Sequence, residues 1–173
     1  MKKWLKLTLS IIICELAGGL GGLFTANSVK TWYTTIQKPA FNPPDWVFMP
    51  VWNTLFLLMG IALYMVWARS AEKPSTRKAM WIFALQLALN VSWSAVFFGL
   101  HSIAGAMGVI IVLWCAILWT IVVFKKVSTA AAWLLVPYII WVSFAGILNG
   151  ALTAAVRFFG QCLYAGRVLQ ERA

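Results

Sequence analysis

The chain has 173 residues, 62% of them hydrophobic and only 10% charged, with a formal net charge of +10. A soluble domain carries about 25% charged residues, so the charges here are too few to coat a water-soluble globule, and membrane residence follows. The fourteen Lys and Arg sit at the ends of apolar segments and form no basic face interleaved with aromatics. That pattern fits headgroup anchoring and argues against a nucleic-acid partner.

A membrane-crossing helix needs about 20 mostly apolar residues. Five segments qualify, at 5–29, 46–68, 79–99, 102–124 and 130–156. Backbone groups cannot stay unpaired in lipid, so runs of this length are expected as helices. The opening "MKKWLKLTLSIIIC" resembles a secretory signal. Its apolar run continues through Val29 without a small-x-small cleavage site ahead of a soluble domain, so it is read as a retained first span. Gly18 and Gly22 form a GxxxG pair in it. Glu15 is the single acid within a span, about 14 Å deep at 1.5 Å per residue.

Between the first two spans lies the longest connector, residues 30–45, and the stretch "KPAFNPPDWVFMPVW" puts four prolines and two tryptophans into residues 38–52. Proline fixes φ and removes a donor. The segment is therefore expected as a rigid cap, holding Trp46 and Phe48 over the mouth of a pocket. On the second span, Trp52 and Phe56 share a face at i, i+4. On the third, Gln86, Asn90, Trp93 and Phe97 form one stripe at i, i+4, i+7, i+11. Two amides are costly in hydrocarbon, so this stripe faces other helices or a cavity rather than lipid. Interhelical packing through the amides and the lining of a pocket are both open readings.

The fifth span aligns Trp141, Ala145, Leu148 and Asn149, and carries a second GxxxG pair, Gly146 and Gly150. One of the two glycine pairs is expected to pack the bundle internally and the other to form a dimer seam. Trp4, Trp32, Trp46, Trp67, Trp81 and Trp133 lie near span ends, where interfacial anchoring explains them. Trp52, Trp93 and Trp141 lie deeper and are candidates for cavity walls. Residues 157–173 form a basic tail. The three scattered cysteines give neither a disulfide framework nor metal spacing, and His101 is the only histidine, so no metal and no required cofactor are expected.

The Lys and Arg distribution sets a topology. The first side takes Lys2, Lys3, Lys6, Arg69, Lys73, Arg77, Lys78, Lys125 and Lys126, and the other takes Lys30, Lys38, Arg157, Arg167 and Arg172. The bias places the N-terminus in the cytoplasm and the Pro/Trp loop on the opposite face.

Three stretches together resemble the TspO/MBR family of tryptophan-rich sensory proteins and translocator proteins (peripheral benzodiazepine receptors). They are "WYTTIQKPAFNPPDWVFMPVW" at 32–52, "QLALNVSWSAVFFG" at 86–99 and "AAWLLVPYIIWVSFAGILN" at 131–149. The resemblance covers about residues 1–156, taken as one domain. It implies an all-α integral membrane protein: five transmembrane helices around an internal pocket, capped by a structured first loop and commonly dimeric. The implied membrane is the bacterial cell membrane, or the mitochondrial outer membrane in a eukaryote.

The implied ligands are tetrapyrroles such as protoporphyrin IX and haem, and hydrophobic drugs of the isoquinoline carboxamide and benzodiazepine type. By motif, Tyr33 and Trp46 belong to the lid and Trp52 and Phe56 to the second-helix wall. Asn90, Trp93 and Phe97 belong to the third-helix wall, and Trp141 and Ala145 to the fifth. Animal members carry a Tyr–Arg sterol element where this chain has Gly150 and Ala151, which weakens the case for sterol. The leading reading is a receptor, sensor or transporter for these ligands. The resemblance also implies an enzymatic alternative, in which Trp52 and Trp141 support light- and oxygen-dependent porphyrin breakdown without a conventional acid–base or metal constellation. An interaction or scaffold protein is the third.

Overall fold

The structure is a computed structural model. It describes residues 2–36, 38–69 and 75–170, with side chains through Val156. Seven α-helices occur among the described residues: α1 (Lys3–Lys30), α2 (Trp32–Thr35), α3 (Asp45–Trp67), α4 (Ser75–Ser94), α5 (Ile103–Val127), α6 (Thr129–Leu134) and α7 (Val136–Gln170). Five stretches are long and apolar enough to cross a membrane, at Lys3–Lys30, Asp45–Trp67, Ser75–Gly99, Ile103–Val127 and Thr129–Val156. They match the five expected spans within a few residues, and the chain is an integral, multi-pass membrane protein.

Two spans depart from straight α-helix. The third ends in a π-helical turn, Ala95–Gly99. The fifth breaks at Leu135, just before Pro137 in the first turn of α7. A proline this near a helix start loses no hydrogen bond that the helix needs, so the break costs little. Helix α7 runs past residue 156 to Gln170, so the start of the tail extends the last helix. The side chains of the basic tail, with Arg157, Arg167, Arg172 and Cys162, lie outside the described residues, as does Lys73.

Successive spans alternate in direction, and contacts at both ends fix this. Lys6 Nζ donates to the Trp67 carbonyl (3.3 Å) and Arg69 Nη1 to the Val127 carbonyl (3.2 Å). At the other end Ser28 Oγ donates to the Phe98 carbonyl (2.7 Å). In cross-section the helices form a ring: α1 packs on α3 and α4, α4 on α5, α5 on α7, and α3 on α6. The α1–α3 seam depends on Gly60, where a Cβ would stand 2.7 Å from the Ile11 Cα. Gly18 faces inward as well, against the Phe56 ring, whereas Gly22 and Gly146 have no atom within 4 Å of a built Cβ.

The main core fills the half of the bundle near the α3–α4 and α5–α6 connections. Met59, Val66, Phe83, Leu113, Ile117, Phe124 and Leu135 meet there, with Phe83 and Phe124 stacked at 5.6 Å. A smaller cluster of Tyr33, Phe97, Ala106 and Leu152 closes the first-loop end. Trp93 packs against both.

Candidate functional site

The first loop is ordered by a chain of short-range contacts. Asn42 N donates to the Pro39 carbonyl (2.9 Å), making a turn, and Pro44 precedes α3, whose first residue is Asp45. An acid there complements the helix dipole. Tyr33 donates its hydroxyl to Asn42 Oδ1 (2.9 Å), Lys38 Nζ sits 4.1 Å above the Tyr33 ring, and Lys38 pairs with Asp45 at 3.5 Å. The Tyr33 ring lies edge-on to Phe97 and Phe98, and Trp32 stacks on His101 at 4.4 Å. Burial, then the Asp45 charge, push the Tyr33 hydroxyl up to about 12, partly offset by the Asn42 bond.

The residues that receive this docking lie in the π-helical turn. A π turn adds a residue without breaking the helix and recurs at functional sites. Here Phe97 and Phe98 both reach Tyr33, while Trp93 stacks on Phe97 at 5.2 Å. His101 closes the turn at φ 54°, a left-handed value in which His is one of the more frequent non-glycine residues. Its Nε2 lies 3.2 Å from Ser28 Oγ.

Of the predicted lid residues, Tyr33 is buried. Trp46 is 74% exposed. Position 46 falls in the first turn of α3, whose helical register turns that ring outward. Phe48, two residues on, meets Trp141 instead, at 5.9 Å, and Phe41 approaches Phe144 at 6.5 Å.

Deeper in the bundle, the predicted stripe on the third span points inward, with Gln86, Asn90 and Phe97 buried. Asn90 Nδ2 donates to the Tyr138 hydroxyl across to α7 at 2.8 Å. Trp52 stacks on Phe56 (5.7 Å) and meets the Tyr138 ring edge-on (6.3 Å). Asn90, Tyr138 and Trp52 thus join the third, fifth and second spans at one level. Ala145 packs against the same core. Tyr138 was missed by the sequence reading. Its signal was present: it lies three residues before Trp141, on the same helical face.

One turn beyond that level, toward the first loop, the third and fifth spans each present an indole. Trp93 follows Asn90 by three residues and Trp141 follows Tyr138 by three. The two spans run in the same direction, so the Cα atoms of Trp93 and Trp141 each lie about 4.5 Å along the helix from those of Asn90 and Tyr138. Both Nε1 atoms are buried and have no hydrogen-bond partner, and neither do the amide atoms of Asn149 and Gln86. A buried Trp N–H ordinarily finds an acceptor, and each unmet donor costs about 1–3 kcal/mol.

The second and fifth spans meet through α6 and separate toward the first loop, and a groove of about 770 Å³ opens between them. Pro50, Val51, Leu55, Pro137, Ile140 and Trp141 are among its walls. Of the predicted site residues, Trp141 alone borders it.

The fold defines a five-helix membrane protein whose first-loop half is rich in packed aromatic rings. The sequence profile of the TspO/MBR family matches residues 10–154. A tryptophan-rich protein TspO from Chlorobaculum tepidum is 45% identical over 148 residues, covering 86% of this chain and 94% of that protein. The translocator protein of Bos taurus is 35% identical over 144 residues (80% and 82%), and protein CrtK of Rhodobacter capsulatus is 37% identical over 138 residues (80% and 84%). The chain belongs to the TspO/MBR family.

Proposed function

We propose that the protein is a membrane receptor, sensor or transporter that takes up a planar hydrophobic ligand of the tetrapyrrole class, such as protoporphyrin IX or haem. The ligand would lie between Trp52, Trp93 and Trp141 with Phe56, Phe97 and Ala145 beside it, on a floor made by Asn90 and Tyr138. The observation that carries this reading is the pair of buried, unpartnered indole donors at one depth. Flat rings supply contact area, and a few placed donors fix orientation. A ligand dissolved in the bilayer reaches Trp141 through the lateral groove. Its 770 Å³ lies in the range of about 300–1,000 Å³ typical of ligand sites.

Tyr33 and Phe48 serve as cap in this arrangement, and the prolines hold the cap at low ordering cost. Sterol is left out, because Gly150 and Ala151 replace the aromatic element that the animal relatives carry. A homodimer belongs to the same proposal, with room for a second copy over Gly22 or Gly146. The domain, on this reading, is residues 1–156.

The test is titration of detergent-solubilised protein with protoporphyrin IX, read by quenching of tryptophan fluorescence. Saturable quenching that weakens when Asn90 and Trp141 are both changed to Ala supports the site. Unchanged affinity in that variant would move the site elsewhere and favour a scaffold role.

A further inference from the structure

A second cleft, of about 550 Å³, lies between α4 and α5 at the opposite end of the bundle from the first loop. Its walls are Arg77, Lys78, Trp81, Ile82, Leu85 and Trp119. Arg77 and Lys78 stand in the first turn of α4, which contains no acid. Two cations there add to the positive end of the helix dipole instead of opposing it. The mouth of the cleft is therefore a concentrated positive field, and both side chains are exposed.

The lining changes character with depth. Trp81 lies i+4 from Arg77, Ile82 lies i+4 from Lys78, and Leu85 lies i+4 from Trp81, so one helix face runs from cations to hydrocarbon. Leu85 sits about 12 Å below Arg77 at 1.5 Å per residue. Trp119 supplies the facing wall from α5. Trp81, Leu85 and Trp119 are 69%, 49% and 49% exposed, so the apolar part opens on the surface that the bilayer covers. A cationic mouth over an apolar, aromatic slot matches a ligand with an anionic head and a hydrocarbon tail.

We propose that this cleft binds one anionic glycerophospholipid from the leaflet on the Lys/Arg-rich side, with its phosphate between Arg77 and Lys78 and an acyl chain along Trp81, Leu85 and Trp119. Charge complementarity selects the occupant: basic residues near a membrane surface attract acidic lipids by about 1 kcal/mol each. The apolar wall distinguishes a seated lipid from a diffuse counterion layer. The site is separate from the tetrapyrrole site and does not depend on it.

The test is native mass spectrometry of the full chain, released from detergent containing phosphatidylglycerol or phosphatidylcholine. The expected result is retention of one phosphatidylglycerol in preference to phosphatidylcholine. Affinity for the lipid should fall about 30-fold in Arg77→Gln/Lys78→Gln, two charges' worth of attraction, and also fall in Trp119→Ala, which keeps both cations. The charge-matched control Lys2→Gln/Lys3→Gln should retain the lipid. Equal loss in that control, or no loss in either variant at Arg77/Lys78 or Trp119, overturns the proposal. Displacement of the lipid by millimolar inorganic phosphate overturns it too, by assigning the cations to a free anion.

Discussion

Changing Tyr138 to Phe deletes one oxygen, and the structure says what that oxygen does. It accepts from Asn90 Nδ2 at 2.8 Å, with Tyr138 1% and Asn90 5% exposed. Neither partner can turn to water, so Tyr138→Phe strands a buried amide at a cost of about 1–3 kcal/mol. Asn90→Leu strands the hydroxyl at a similar cost. In the double variant both polar groups are gone, and its destabilisation should be smaller than the sum of the two single effects. The shortfall should be about 0.6–1.7 kcal/mol, the span from mean to maximum of intramembrane hydrogen-bond cycles. Reversible unfolding in mixed micelles against increasing dodecyl sulfate, followed by circular dichroism, measures all three variants. Additivity within about 0.3–0.5 kcal/mol, the behaviour of independent sites, would refute the claim that this bond ties the third span to the fifth.

Gly60→Ala brings a carbon to 2.7 Å from the Ile11 Cα, well inside the about 3.5–4.0 Å optimum. The α1–α3 seam must open, with an expected loss of about 1–3 kcal/mol in the same unfolding assay; a neutral result contradicts that seam. The Tyr33 hydroxyl, pushed up to about 12, is favoured in its neutral form by the docked loop. Its contribution is therefore complete below pH about 10, the ordinary tyrosine value, and is lost as pH rises toward 12. The difference in thermal midpoint between wild type and Tyr33→Phe should shrink across that window, and a constant difference would contradict the loop contacts. The alternative of light- and oxygen-dependent porphyrin breakdown through Trp52 and Trp141 requires that Trp52→Phe/Trp141→Phe, at saturating protoporphyrin IX, abolish any product formed by the wild type under aerobic illumination. Persistent product would remove both tryptophans from that chemistry.

The span count and the inward stripe of the third span were legible because both rest on periodicity and transfer energy, which are local properties of the chain. Gln86, Asn90 and Phe97 are buried for the reason their spacing gave. The partner of Asn90 was not legible, since a hydrogen bond between residues 48 positions apart depends on how two helices are rotated against each other. The π turn at Ala95–Gly99 escaped for a related reason: nothing in "AVFFG" breaks an α-helical pattern, and docking of Tyr33 on the Phe97 and Phe98 rings accompanies the wider turn. The exposure of Trp46 was not legible, because composition marks a stiff aromatic loop without saying where helix α3 begins. That start sets the register, and the register turned Phe48 rather than Trp46 toward Trp141.

The proposed ligand site rests most directly on the donors at Trp93 and Trp141. Trp93→Phe/Trp141→Phe keeps both aromatic faces and removes only the N–H groups. Protoporphyrin IX titration, followed through the absorbance of the porphyrin itself, should show affinity weakened about 5- to 150-fold, two hydrogen bonds at about 0.5–1.5 kcal/mol each. Wild-type affinity in a variant of unchanged helix content would contradict the account.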